Sequence, residues 1–240
     1  MPIYRVQLNG DPADIRTLRE YLTNDQVAIE EDGNGHFLTS PDFQIYQDYR
    51  DVKVRAGQLV EMLNGIAEVF FQSFQPVSRG SVEVVRPDGT RATMLELEPV
   101  TAKTRASLHL PRTDLEPNDA EDALAASLTD QNVLEALHFY SLGRDPVTLY
   151  KVFEIIRHDV AGGDALDAMG LSAKDERKRF THSVNHEKAL GDLARHARLG
   201  QQPPDNPMSL EDARTFIRDL LKKWLTWKAA MSANSTDTAE

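Results

Sequence analysis

The chain contains no cysteine among its 240 residues. That excludes a disulfide framework, a thiolate-bound zinc or iron–sulfur site, and a cysteine nucleophile. A zinc-finger reader, a His/Cys zinc deaminase and a thiol protease are excluded with them. The absence fits a reducing compartment, and a cytoplasmic location is expected. Aromatic residues are sparse, at 7%. Long apolar runs are missing too. The most apolar stretch, residues 59–71, is interrupted by Glu61, Asn64, Gly65 and Glu68, and a spanning helix needs ~20 apolar residues. The opening Met-Pro-Ile-Tyr-Arg-Val has neither the charged nor the apolar region of a signal peptide. No membrane partner is expected.

Several catalytic signatures are also missing. There is no Gly-x-x-x-x-Gly-Lys-Ser/Thr loop, no Gly-x-Ser-x-Gly elbow and no Gly-x-Gly-x-x-Gly turn. His186-Glu187 continues as Lys188-Ala189-Leu190, which breaks the His-Glu-x-x-His pattern. No cofactor is called for. Asp88, Glu96 and Glu98 faintly resemble the carboxylates of a metal-dependent nuclease. The companion lysine is absent, however, and Asp88 lies in an ordinary turn tetrapeptide, Pro87-Asp88-Gly89-Thr90.

Positive charge is in deficit as well. The chain has 27 Lys+Arg against 38 Asp+Glu, a net charge of −11. This argues against a chain that coats nucleic acid or anionic lipid over its whole surface. The deficit is uneven, because residues 1–126 carry a net −9 and residues 144–200 carry a net +1. Any contact with a polyanion is therefore expected in the later block.

What is present divides into two unlike halves. In the first, Tyr4, Val6 and Leu8 alternate with polar residues, the period of a half-buried strand. Asp11-Pro12 opens a helix with an N-cap and a proline at the first helical position. Asp32-Gly33-Asn34-Gly35 between two apolar runs predicts a hairpin. Val52, Ala56, Leu59, Leu63, Ile66 and Phe70 recur at helical spacing. Three strands are expected over residues 81–86, 92–98 and 103–110. The order β-α-β-β-α-β-β-β is α+β. Residues 113–126 read as an acidic linker, with five acids between positions 113 and 124.

The second half reads as helical. Helices are expected over residues 132–142, behind Asp145-Pro146, from a Ser172 cap through position 184, over 187–199, and behind a Ser209 cap. Trp224 falls on the apolar stripe of the last helix and belongs to a core or a dimer seam, while Trp227 is offset. Lys222, Lys223 and Lys228 read as a solvated face. Residues 232–240 read as a disordered polar tail. The expected domains are 1–112 and 127–231.

Chemistry concentrates in residues 174–198. Four of the seven histidines lie at 158, 182, 186 and 196. Histidine is the side chain matched to acid–base work near neutral pH, and arginine offers a permanent bidentate fork for phosphate. Arg177 and His182 form Arg-x4-His, and Arg179 and His186 form Arg-x6-His. In RNA cleavage the histidine would take the 2′-OH proton and the arginine would stabilise the charged transition state. His182 and His186, four apart, would share a helix face. That face suits an RNA- or nucleotide-binding site, a metal with Glu187 or Asp192 nearby, or a plain mixed-charge helix end. With no third ligand evident, no metal is assigned. Glu154, if buried, needs a cationic partner. Lys151 is the local choice, and an Arg or His from 177–196 the functional one.

The helical half resembles a HEPN-type domain, the helical-bundle superfamily common in prokaryotic defence and toxin systems. The resemblance rests on residues 149–156, which include Tyr150, Lys151 and Glu154, on the Arg/His segment, and on the helix start at 207–214. It covers roughly residues 128–230. It implies an all-α bundle, a homodimer and a shared cleft holding Arg-x4–6-His motifs. Arg177 with His182, or Arg179 with His186, would be the catalytic pair of a metal-independent endoribonuclease in defence or stress. Lys151, Glu154, Arg195 and His196 would contribute to binding. The family usually has an Asn, His or Asp directly after the Arg. Lys178 and Phe180 stand there instead, and Arg195-His196 has no histidine four to six residues on. These departures leave an inactive or binding-only member open. The alternative from another class is a non-enzymatic dimerising adaptor whose acidic first domain binds a protein partner.

Overall fold

The computed structural model describes residues 3–71, 73–94, 117–143, 145–195, 202 and 204–236. The fold is α+β, and the chain divides into two units, residues 1–121 and 122–240.

The first unit runs β1 (Ile3–Asn9), α1 (Pro12–Tyr21), β2 (Ala28–Asp32), β3 (Gly35–Thr39), α2 (Tyr49–Phe70), β4 (Ser78–Val85) and β5 (Arg91–Met94). The strands form one antiparallel sheet in the order β2-β3-β1-β4-β5. Alternation decides which face is buried. Tyr4, Val6 and Leu8 of β1, Leu38 of β3 and Val82 of β4 are buried, as are Ile15 and Leu18 of α1 and every residue of α2 beyond Leu59 except Glu61 and Glu68. The polar positions of β1 face the other way. Among them Arg5 is also buried, bonded to Glu83 and, at 2.6 Å, to Asp32, with its guanidinium 3.7 Å from the Phe37 ring centroid.

The register between β1 and β4 shifts between Val6 and Leu8. Two β4 residues, Gly80 and Ser81, oppose Gln7 there, as in a β-bulge. A Cβ at Gly80 would lie 2.7 Å from Asn9 Nδ2. Asn64 of α2 locks the start of β4, because its amide donates to Val77 O at 2.8 Å and accepts from Val77 N at 2.9 Å. The hairpin and turn lie where the glycine-rich tetrapeptides predict. Asp32 accepts from Asn34 N at 2.8 Å, and Asp88 from Thr90 N at 2.9 Å with Gly89 at φ +81. The strand expected over 103–110 lies outside the described residues, as do Glu96 and Glu98.

Much of the segment read as a linker is helical. α3 spans Pro117–Thr129 and buries Ala120, Ala123, Leu124 and Ser127, at i, i+3, i+4 and i+7. Small, helix-favouring residues on one stripe outweigh the acids beside them. α4 (Gln131–Leu142), α5 (Pro146–Asp159), α6 (Gly163–Ala168), α7 (Lys174–Asn185), α8 (Glu187–Leu190) and α9 (Leu210–Thr236) complete the second unit. α5 packs on α4, α7 and α9. Phe153, Phe180 and Phe216 meet at its centre, with ring centroids 5.5 and 5.0 Å apart. Asp145 starts α5 as read, accepting from Val147 N and Thr148 N. Asp130, which was not read as a cap, starts α4 in the same way, accepting from Asn132 N and Val133 N.

Three expectations fail here. Ser172 is not the cap of α7, whose N-cap is Ala173. Of the helix read over 187–199, the described residues 187–195 form the four-residue α8 followed by a 3-10 turn over Gly191–Leu193. The backbone of 232–236, read as a tail, continues α9. No helix among the described residues is long and apolar enough to cross a membrane.

Candidate functional site

α7 carries most of the Arg/His set. Arg177, Phe180, Ser183 and Val184 form its buried face. Burial of Arg177 (7% exposed) requires a partner, and Asp167 provides one. Nη1 and Nη2 of Arg177 meet the two carboxylate oxygens at 3.0 and 2.7 Å. Nη1 also donates to the Ser172 carbonyl. The Asp167 carboxyl is held below its ordinary range, first by the Arg177 hydrogen bond. Ser172, read as a helix cap, thus serves as an acceptor for Arg177. The fork expected to hold a phosphate ties α6 to α7.

The other α7 candidates reach one short stretch of chain. Arg179 Nε donates to Asn206 O at 2.9 Å, and Nη2 to Pro207 O at 3.4 Å. His182 Nε2 lies 2.8 Å from Gln202 O. A carbonyl only accepts, so this bond assigns the proton to Nε2. Ser183 Oγ donates to Arg179 O at 2.7 Å and accepts from Met208 N at 2.8 Å. Together these contacts clamp the proline-rich loop before α9 onto α7.

His186 is 4% exposed and follows the end of α7. Its Nδ1 accepts from Lys188 N at 3.1 Å and so caps α8. The rings of His182 and His186 sit edge to face, 5.8 Å apart. Among the described residues no group of three or more metal-binding side chains assembles. Lys178, Arg179 and His182 line one side of a shallow depression of about 220 Å³, and Pro204, Asp205 and Asn206 line the other. Of the predicted set, Arg179 and His182 share this surface feature, with Lys178 beside them, and Arg177 is not among its lining residues.

The expected binding residues lie elsewhere. Glu154 is half exposed and stands 3.9 Å from Arg157, which is its ion partner among the described residues in place of Lys151. Lys151 Nζ sits 4.5 Å from the Phe139 ring centroid, linking α5 to α4. The Arg195 guanidinium lies 3.9 Å over the Tyr150 ring, and its Nη1 is 3.4 Å from Asn185 Oδ1. His196 lies outside the described residues.

Lys228 overturns another expectation. Read as part of a solvated face, it is largely buried and bonds Asp130 at 2.6 Å and Asp159 at 2.9 Å. Asp159 also accepts from Asn132 Nδ2 at 2.7 Å and from the fully buried Trp224 Nε1 at 3.0 Å. Burial alone would lower the Lys228 pKa, yet the bonds to both aspartates raise it. Local patterning gave no sign of this node, since its members come from three helices. No protein-family model, curated protein or solved structure matches the chain, so the HEPN resemblance rests on its residues alone.

Proposed function

We propose that the protein is a non-enzymatic adaptor, in which the helical unit associates with a second copy and the acidic first unit receives a protein partner of basic charge. The observation that carries this reading is the engagement of the Arg/His set within its own unit. Arg177 is closed by Asp167 and Ser172. Arg179 and His182 hold backbone carbonyls, and His186 caps a helix. A nuclease needs such groups converging on an open site, free to meet a phosphate and a 2′-hydroxyl. The charge split supports the second half of the reading, because the net −9 of residues 1–126 would steer a basic partner.

The test is incubation of the purified full-length chain with structured and single-stranded RNA, with and without EDTA, alongside light-scattering mass measurement. Intact RNA and a dimeric mass are expected. Cleavage that survives EDTA and disappears in His182→Ala would overturn the adaptor reading. One observation favours RNA binding as a second reading, namely the shared depression of Lys178, Arg179 and His182. On that reading Lys178→Glu abolishes salt-dependent RNA retention, whereas on the adaptor reading there is none to lose.

A further inference from the structure

The outer side of α9 and the turn joining α6 to α7 enclose a groove of about 710 Å³, separate from the Arg/His depression. Its floor is apolar, built from Met169, the buried Leu171 and the half-buried indole of Trp227. Its rim is cationic. Lys223 and Lys222 stand four and five residues before Trp227, ~6 and ~7.5 Å along the axis at 1.5 Å per residue. The lining acid, Asp219, is paired with Arg218 at 3.3 Å. The lining thus holds two lysines against one acid on a chain whose net charge is −11. Gly170 crosses the turn at φ +67, and no atom lies within 4 Å of where its Cβ would be. No side chain from that position closes the mouth.

We propose that this groove binds a small amphipathic anion, an aryl or acyl body bearing a carboxylate or phosphate head. The body lies against Trp227, Met169 and Leu171, and the head meets the exposed Lys223 ammonium. Each half of the chemistry answers a feature of the groove. An apolar floor gains from covering by an apolar body, and an anion beside lysine makes charge-assisted bonds. The volume falls in the roughly 300–1,000 Å³ typical of small-ligand sites. The proposal does not depend on the adaptor reading.

The test titrates the full-length chain with 1-anilinonaphthalene-8-sulfonate, an aryl anion. Binding is followed by probe emission and by energy transfer from tryptophan. Decanoate and phenyl phosphate serve as competitors and distinguish an acyl carboxylate from an aryl phosphate. One saturable site per chain is expected, displaced by at least one competitor. Lys223→Glu should raise the Kd about tenfold, the loss of one charge-assisted contact. Ala230→Glu, at an exposed lining position, should act likewise. Lys188→Glu, an equal change of net charge at an exposed site outside the groove lining, should leave the Kd unchanged. The proposal is overturned by absence of saturable binding, by failure of both competitors, or by groove variants that bind as tightly as the parent. Equal weakening in Lys188→Glu would overturn it too. So would a dimer that excludes the probe and is split by Lys223→Glu, since the groove would then be a seam between copies.

Discussion

Replacing Asp159 by alanine removes the centre of the node that joins α4, α5 and α9. The Trp224 indole N–H, fully buried, loses its acceptor at 3.0 Å. An orphaned buried donor costs about 1–3 kcal/mol. Lys228 loses one of two carboxylates but keeps Asp130 at 2.6 Å. With the ammonium still partly reached by water, that loss is worth about 1 kcal/mol. Asn132 is half-buried and can turn its amide to solvent. Removing an acid from the C-terminal end of α5 returns about 0.3–1 kcal/mol of helix-dipole energy. The net destabilisation is about 2–3 kcal/mol, a fall in Tm of roughly 10 °C for a unit of this size. Both tryptophans lie in α9, so their fluorescence during urea or thermal denaturation reports this unit selectively. A Trp224→Phe/Asp159→Ala cycle should show a coupling of about 1 kcal/mol. A loss below about 0.5 kcal/mol, or zero coupling, would refute the reasoning. The node also sets a pH window. Burial pushes the Asp130 carboxyl up, but the Lys228 bond and the α4 amides outweigh it and hold it below its ordinary value. Its contribution is complete above about pH 4 and is lost as pH falls through the depressed value. The raised Lys228 contributes fully below about pH 10 and loses its contribution as pH rises through its folded value.

Three further outcomes are expected. Asn64→Ala orphans both backbone groups of Val77 in a buried site and should cost the first unit about 2–4 kcal/mol; unchanged protection of the Val77 amide in hydrogen exchange would contradict this. The Asn34 amide first, then Arg5 and Arg91, lower the Asp32 carboxyl to about 2. NMR titration should find it there, and Arg5→Met should move it up; its contribution to stability is present above about pH 4 and is lost as pH falls toward 2. Arg177→Lys keeps the charge but cannot span both Asp167 oxygens, so the melting temperature of the helical unit should fall. A variant that melts like the parent would show that the fork holds nothing in place.

Elements whose signals are local were legible. Asp11-Pro12 and Asp145-Pro146 start helices because a side-chain oxygen and a fixed φ act within one turn. The 32–35 hairpin and the apolar stripe of α2 are likewise short-range signals. Where a partner lay far along the chain, the reading went astray. Lys228 looked solvated because Asp130 and Asp159 are 98 and 69 residues away. The stripe that makes α3 helical was masked by the acids interleaved with it. Ser172 resembled a cap because its pairing with Arg177 depends on the α6–α7 turn, whose path no local pattern specifies.

In the Arg/His segment, too, the contacts are made with residues that local patterning does not point to. Residues 201–207 read Gln-Gln-Pro-Pro-Asp-Asn-Pro. Three prolines remove three backbone N–H donors from the loop and disfavour helix around them, while its carbonyls still need donors. α7 supplies them at one face. Arg179 serves the carbonyls of Asn206 and Pro207, His182 that of Gln202, and Ser183 takes the Met208 amide. Positions 179, 182 and 183 are one helical turn, so a loop laid across that turn meets all three. Donor-rich side chains beside a donor-poor loop produce the same spacing as an Arg-x-His catalytic motif. Spacing alone cannot separate the two, because both demand N–H groups on one helix face. What separates them is the acceptor, a backbone carbonyl of the same chain in one case and a phosphate in the other. Here the acceptors in place are the carbonyls of Gln202, Asn206 and Pro207, and the RNA incubation proposed above tests which demand the spacing serves.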